Sequence, residues 1–133
     1  MLLAQRKSVI DIDDPYAQIN FSNYLKYHVQ SVMDCSYKNI VFLCIGTDRS
    51  TGDSLGPLVG YKLSGINYDG IYVAGTLDEP VHAKNLTTKV NEIRKLYDNP
   101  FIIAVDACLG QQVNIGHINI SQGPMYPGAG VNK

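Results

Sequence analysis

The sequence lacks an excess of charge of either sign. Its 11 lysines and arginines stand against 12 aspartates and glutamates, which gives a formal net charge of −1 over 133 residues. Nucleic acids and anionic membrane surfaces attract proteins that carry a broad positive field. The composition therefore predicts neither nucleic acid nor a membrane as a partner, and no apolar run in the sequence approaches membrane-spanning length.

Cysteine is scarce as well. The three cysteines, Cys35, Cys44 and Cys108, lie far apart and include no CxxC pair. An odd, scattered set predicts neither a disulfide framework nor a zinc site. The N-terminus also lacks the pattern of a signal peptide, since its basic residues follow the apolar ones. Together these absences predict a protein of the reducing cytoplasm.

Helix-like and strand-like segments alternate along the chain. An amphipathic helix is predicted over about residues 15–34, because apolar side chains recur at helical spacing from Phe21 to Met33. The pair Asp14-Pro15 supplies a start signal for this helix. The segment Val9–Ile12 before it is predicted to be either a short strand or an extended arm.

Continuous apolar, β-rich runs predict strands that are buried on both faces, each followed by a polar loop. The predicted strands are Ile40–Ile45, Ile71–Ala74 and Phe101–Val105, and the predicted helices between them are Leu55–Leu63 and Ala83–Tyr97.

A further strand is predicted over Ile115–Ile120, with a bulge at Gly116. The order of elements predicts one α/β domain over residues 1–133, in which a three-layer, doubly wound, mainly parallel sheet carries helices on both faces. The Gly- and Pro-rich stretch 122–131 is unlike the end of a domain. It predicts that a final strand or helix follows Lys133.

Two aspartates follow predicted strands at the edge where ligands bind in such sheets. Asp53 has two interpretations, as the N-cap of the next helix, which its position favours, or as a functional acid, base or ligand. Asp106 comes directly after an apolar strand, where it either binds backbone amides of the next turn or acts as a functional group with a shifted pKa. If the two approach each other, one holds a proton while the other accepts one, an arrangement that activates water.

Other candidates at this edge are less distinctive. His82, near Asp78, either caps or packs against its helix, which is slightly favoured, or contributes to a site. Cys108 is either a nucleophile or, as is more common for a free cysteine, a small buried hydrophobic side chain, and burial is expected still more strongly for Cys44. His28 is expected in the core or at its boundary. The loop after Ile45 lacks the Gly-Lys-Ser/Thr ending of a phosphate-binding loop.

Four segments of the sequence resemble the family of YyaC-type sporulation proteins. They are CIGTDRSTGDSLGP at 44–57, GTLDEPVHA at 75–83, VDACLG at 105–110 and PGAGVN at 127–132. That family is similar in turn to the germination protease of spore-forming bacteria and to the hydrogenase maturation endopeptidases, which share a phosphorylase/hydrolase-like fold. The resemblance implies that Asp53 and Asp106 match the two essential carboxylates of the germination protease, and that residues 127–131 match its Gly-rich loop.

The resemblance implies a peptidase-like hydrolase in which Asp53 and Asp106 activate water against a peptide bond. Its implied substrate is a protein or peptide, with a spore protein as the first candidate, in the cytoplasm of the sporulating cell or forespore. The loops 47–51 and 128–130 are expected to supply N–H groups to the developing oxyanion. A homo-oligomer is compatible with the sequence. The residues expected to contact substrate are Thr47, Asp48, Ser50, Asp78, His82, Gly128 and Gly130.

No cofactor is expected, although a divalent metal remains an alternative. In the maturation endopeptidases the matching acidic positions bind nickel together with a histidine from a later loop, and this sequence has no histidine after His117. A metal would therefore need His82 beside Asp53 and Asp106. The alternative function is a non-catalytic peptide- or metal-binding protein of sporulation, and a third is a site for a small metabolite.

Overall fold

The computed structural model describes residues 7–108 and 112–123. Strands and helices alternate, as an α/β protein requires, so the predicted α/β class is confirmed. No helix in this described part of the chain combines the length and the apolarity needed to cross a bilayer. In chain order the elements are β1 (Lys7–Asp11), α1 (Ala17–Val32), β2 (Asn39–Cys44), α2 (Leu55–Ser64), β3 (Ile71–Ala74), α3 (Leu86–Leu96), β4 (Pro100–Val105) and β5 (His117–Ser121).

These elements belong to two compact units, and the first contains α1, β1 and β5. Strands β1 and β5 pair antiparallel, with Ile10 opposite Ile118. Helix α1 carries the buried His28, as its position on the apolar face predicts, and this side chain is 5% exposed. Its Nε2 lies 2.9 Å from Ser8 Oγ and its Nδ1 lies 3.1 Å from Gln122 Nε2. The imidazole thus links the helix to both strand segments.

Helix α1 is two residues shorter at each end than the predicted range 15–34. The Asp14 carboxylate accepts the N–H of Tyr16 at 2.8 Å, and its carbonyl accepts the N–H of Ala17 at 2.9 Å. These bonds close a turn over Pro15, and the helix begins after that turn.

The prediction of one doubly wound sheet is not confirmed. The segment 117–121 pairs with β1 in a separate two-stranded antiparallel sheet. Gly116 is also not a strand bulge. It lies in the turn before β5 with a φ of +83°, and its carbonyl accepts the N–H of Ile12 at 2.9 Å. The strand therefore begins at His117 instead of Ile115. The prediction of a single domain stays a prediction.

The second unit contains a three-stranded sheet with the order β3-β2-β4. Both pairings of the central strand β2 are parallel, as the apolar runs predict. Alternation gives β2 two different faces. Val41, Leu43 and Ile45 point toward α3 and form the core with Val81 and Ile93, whereas Cys44 lies on the opposite face, toward Gly60 of α2.

The starts of α2 and α3, the two helices of this unit, reflect a proline in the first turn of one and a turn just before the other. Helix α2 starts at Leu55 and accommodates the buried Pro57 in its first turn, as predicted. Helix α3 begins at Leu86, three residues later than predicted, because residues 83–85 form a turn. That turn is closed by a bond of 3.1 Å from the Asn85 N–H to the His82 carbonyl.

Candidate functional site

The carboxyl end of β2 is flanked by backbone on both sides. Ile45 N–H donates to the carbonyl of Val105 at 2.8 Å, and Gly46 N–H donates to the carbonyl of Val81 at 2.7 Å. Asp106 and His82 are the next residues after these two acceptors. The main chain therefore brings Asp106 to one side of the end of β2 and His82 to the other.

Asp53 closes over the same strand end. It is the last residue of a 3₁₀ turn, Thr51–Asp53, and is 5% exposed. The N–H of Thr47 donates both to its carbonyl at 3.0 Å and to its carboxylate Oδ2 at 3.1 Å. This close approach requires glycine at position 46. A Cβ built on Gly46, whose φ is +139°, would lie 2.1 Å from the Asp53 carbonyl oxygen.

The helix-cap interpretation of Asp53 is wrong. The residue at the cap position of α2 is Ser54, whose side chain makes no capping hydrogen bond there. Ser54 instead donates its hydroxyl to the carbonyl of Thr51 at 3.0 Å. The Asp53 carboxylate faces back toward the loop that leaves β2, because the 3₁₀ turn reverses the chain before α2 begins.

Asp106 directly follows β4 and is half-buried. Since β4 is hydrogen-bonded to β2 as far as the pair Cys44–Val105, the backbone places Asp106 and Asp53 at the ends of adjacent strands. The sequence prediction that both aspartates lie at one edge of the parallel sheet agrees with this arrangement. The sharing of a proton between their carboxyl groups stays a prediction.

His82 is held in the turn that leads into α3. Its backbone N–H donates to Asn85 Oδ1 at 2.7 Å, and its ring Nδ1 accepts the N–H of Lys84 at 3.2 Å. Asn85 also donates its Nδ2 to the carbonyl of Pro80 at 3.1 Å. Sequence reasoning missed Asn85, although an asparagine directly before the apolar start of a helix is a recognised signal. Asp78 lies on the preceding loop and is exposed.

The loop predicted to contact substrate is largely exposed, but part of it is already engaged. Asp48 and Ser50 are exposed. The N–H of Thr47 donates to Asp53, and the N–H of Arg49 donates to Thr47 Oγ1 at 2.9 Å. The expectation that this loop offers its amides to an oxyanion is therefore wrong for these two groups.

Gly128 and Gly130, the other predicted contacts, lie outside the described residues. Their part in an oxyanion site stays a prediction.

The residues proposed for a metal do not form a metal-binding group. Across the described residues, no three side chains of histidine, cysteine, aspartate or glutamate are arranged to hold an ion. The backbone nevertheless brings Asp53, Asp106 and His82 to one edge of the sheet. In addition, the Nδ1 lone pair of His82 is already used by Lys84.

The cysteines differ sharply in their surroundings. Cys44 is fully buried, as expected, and burial raises the pKa of its thiol from 9.0 to about 11. Cys108 is exposed, as is Cys35. The expectation that Cys108 is a buried hydrophobic side chain is therefore wrong, because it lies beyond the end of β4 and not within a strand.

We expect a thiol reagent at pH 8 to label Cys35 and Cys108 quickly and Cys44 only after unfolding. The thiolate is the reactive species, and the raised pKa together with burial keeps Cys44 protonated and inaccessible. Release of thionitrobenzoate, counted with and without guanidinium, measures this. A Cys44→Ala protein serves as the control and should show the same two fast equivalents. Three fast equivalents in the folded wild type would contradict the structure.

The amino-acid sequence of the chain is similar to those of other proteins. The family model described as "Protein of unknown function (DUF1256)" matches residues 9–133. The "Uncharacterized protein YyaC" of Bacillus subtilis (strain 168) is 56% identical over 103 residues, which are 77% of this chain and 50% of that relative. The chain therefore spans about half the length of this curated relative. No solved structure matches it. The predicted YyaC-type resemblance is confirmed.

Proposed function

The chain belongs to the DUF1256 family, and from this premise we propose that it is a peptidase-like hydrolase whose water is activated by Asp53 and Asp106. The proposed substrate is a peptide bond in a protein or peptide, with a spore protein as the first candidate. In this proposal one carboxylate takes a proton from the attacking water, and the other, protonated, donates a hydrogen bond to the scissile carbonyl.

One observation carries the proposal: the two aspartates follow adjacent parallel strands. The chain passes from β2 to β3 on one side and then crosses to β4 on the other. In open α/β sheets such a reversal opens a crevice at the carboxyl ends of the two strands, where ligands bind. The buried Asp53 lies in the loop after β2, which also contains the exposed Asp48, and Asp106 directly follows β4. Their position supports a role in chemistry more than a role in helix capping.

The same observation supports a proposal about the fold. Helices α2 and α3 lie on opposite faces of β2, as the environments of Cys44 and Val41 indicate. We propose that the three parallel strands belong to a doubly wound sheet of the phosphorylase/hydrolase type. The relationship to the germination protease, a role in sporulation, and action in the cytoplasm of the sporulating cell or forespore are parts of this proposal.

The test is to compare the wild type with Asp53→Asn and Asp106→Asn proteins on a denatured extract of spore-core proteins. New peptide termini are counted by mass spectrometry over time. We expect each variant to lose roughly 100- to 10,000-fold in cleavage rate, the range for loss of a general acid or base. The asparagine introduced by Asp53→Asn keeps a side-chain oxygen for the N–H of Thr47, so the fold should survive.

Asp69→Asn is the matched control, because Asp69 is an exposed aspartate in the turn before β3, at the opposite end of that strand from the two site aspartates. It should cleave within about twofold of the wild type, since an exposed surface substitution changes little. If the two site variants cleave as fast as this control, the aspartates are not catalytic. If wild-type protein produces no new termini, the non-catalytic binding alternative replaces the hydrolase.

A further inference from the structure

A cavity of about 170 Å³ lies between β3 and α3, apart from the two aspartates. Val41, Val81 and Ile93, all almost fully buried, form the apolar part of its lining, which also includes the charged Glu79, Lys89 and Glu92. Tyr72 and Tyr97 also line it, and their rings stack with centroids 4.2 Å apart. An apolar cavity of roughly 150 Å³ is large enough for benzene, so this one has room for one large apolar side chain.

The strand beside the cavity has a free edge. Among the residues that the structure describes, β3 pairs with β2 and with no second strand. Ile40 N–H donates to the carbonyl of Gly70 at 2.8 Å. This bond determines which residues of β3 direct their backbone N–H and C=O groups toward β2. Tyr72 and Ala74 direct their N–H and C=O groups toward β2, and Val73 directs both of its groups outward.

Apart from its short length, the edge of β3 lacks the usual protection against pairing. Its four residues, Ile71–Ala74, include no charged side chain and no proline, the devices that block edges in natural sheets. Ile71 and Tyr72 are each 37% exposed. The opposite edge strand, β4, begins with Pro100. An open, uncharged edge beside a cavity with an apolar wall is suited to an extended peptide, which needs both backbone partners and a place for side chains.

We propose that an extended peptide segment binds along β3 as an additional strand and places one large apolar side chain in the cavity. The peptide residue opposite Val73 exchanges hydrogen bonds with it and points toward the α2 side of the sheet. Its neighbours in sequence point toward the α3 side, as Tyr72 and Ala74 do. One of these neighbours fills the cavity.

This inference rests on the proposed function for the fate of the peptide, because it names the substrate class: extended segments with a large apolar residue. Strand β3 is parallel to β2 and ends at the same edge. A peptide paired with β3 therefore has one of its ends at the sheet edge where Asp53 and Asp106 lie. Binding is measured independently of cleavage, so failure of one claim is distinct from failure of the other.

The experiment titrates the full chain carrying Asp106→Asn, which prevents consumption of the ligand, with three acetylated and amidated pentapeptides. The first has the sequence Ser-Thr-Leu-Thr-Ser. The second replaces the central leucine with alanine, and the third keeps leucine but carries N-methyl groups on both threonines. Amide and methyl NMR spectra report where each peptide binds and with what dissociation constant.

We expect the leucine peptide to shift the signals of Val73 and Ile93, and the other two peptides to bind at least tenfold more weakly. The alanine peptide loses the cavity contact, and the N-methylated peptide loses backbone donors while it keeps the side chain. Equal binding of all three, or shifts confined to other residues, would overturn the proposal. Dimerisation of the free protein through β3, seen as concentration-dependent shifts of Val73, would also overturn it by assigning the edge to a second copy.

A pair of protein variants tests the edge itself. Val73→Pro removes the outward N–H of β3 and leaves the bonds between β3 and β2 intact. It should therefore weaken binding of the leucine peptide at least tenfold. Ala104→Pro makes the same change on the outer edge of β4, which among the described residues pairs only with β2; there Ile45 N–H donates to the Val105 carbonyl, so the backbone groups of Ala104 point outward. This control should bind as the parent does. If either proline variant fails to fold, the comparison of the three peptides on the chain that carries only Asp106→Asn decides whether a peptide binds along β3.

Discussion

Replacing Gly60 with alanine should destabilise the second unit by about 3 kcal/mol or more, a large fraction of the roughly 5–15 kcal/mol by which domains are stable. Gly60 lies where α2 crosses β3, and a Cβ built there would lie 1.8 Å from the carbonyl oxygen of Gly75. That atom belongs to the backbone and cannot rotate away, so the helix must move. Overpacking of this kind costs typically 1–3 kcal/mol and occasionally more. With a contact this short, the cost should exceed the roughly 1 kcal/mol by which alanine stabilises a helix relative to glycine.

Gly65→Ala is the matched control for this prediction. It makes the same change at the C-cap of the same helix, where the added Cβ would lie 3.6 Å from the Lys62 carbonyl, an ordinary contact. Its φ of −79° suits any residue. We expect Gly65→Ala to be neutral or stabilising by a few tenths of a kcal/mol. Urea unfolding followed by circular dichroism measures both, and equal midpoints for the two variants would contradict the close helix–sheet packing.

The second large effect is expected for Ile93→Ala, which should cost about 2–5 kcal/mol in the free energy of unfolding. Ile93 is 5% exposed and belongs to the core cluster that joins α3 to Val41, Leu43 and Ile45. Truncation of this side chain removes apolar contacts and leaves a cavity. The hydrogen-bonded parallel strands cannot move in to fill that cavity. The loss should appear as a lower urea midpoint with an unchanged slope.

Leu96→Ala provides the comparison within the same helix. Leu96 is 74% exposed, so its truncation removes little buried area and should change the free energy of unfolding by less than about 0.5 kcal/mol. If Leu96→Ala destabilised as much as Ile93→Ala, α3 would be packed with a different face toward the sheet.

The local elements of this protein are predictable because their signals are local. The apolar run at Ile40–Ile45 and the periodic spacing in α1 determine a buried strand and an amphipathic helix without reference to the remainder of the chain. The position of the candidate aspartates at one sheet edge follows from the strand order alone. What sequence cannot provide is the distance between their carboxyl groups, because that depends on side-chain geometry.

The errors arise where the structure depends on contacts between distant segments. Nothing within residues 7–11 or 117–121 indicates that they pair with each other, so the sequence prediction places β5 in the parallel sheet. Asp53 has the residue type and position of a cap, yet the 3₁₀ turn directs its carboxylate toward Thr47. The spacing of Gly56 and Gly60, one turn apart on α2, is a sign of close helix–sheet packing that the periodicity of apolar residues does not reveal.

The pairing of β1 with β5 determines an order of assembly during synthesis. The two strands are separated by roughly a hundred residues, so β1 and α1 leave the ribosome long before their partner exists. At about 5–20 residues per second, the interval is on the order of ten seconds. The strands of the parallel sheet are close in sequence and can pair within it. Nascent β1 therefore stays without its partner strand during that wait, with Val9 and Ile10 unpaired, and a chain truncated before β5 would leave them so.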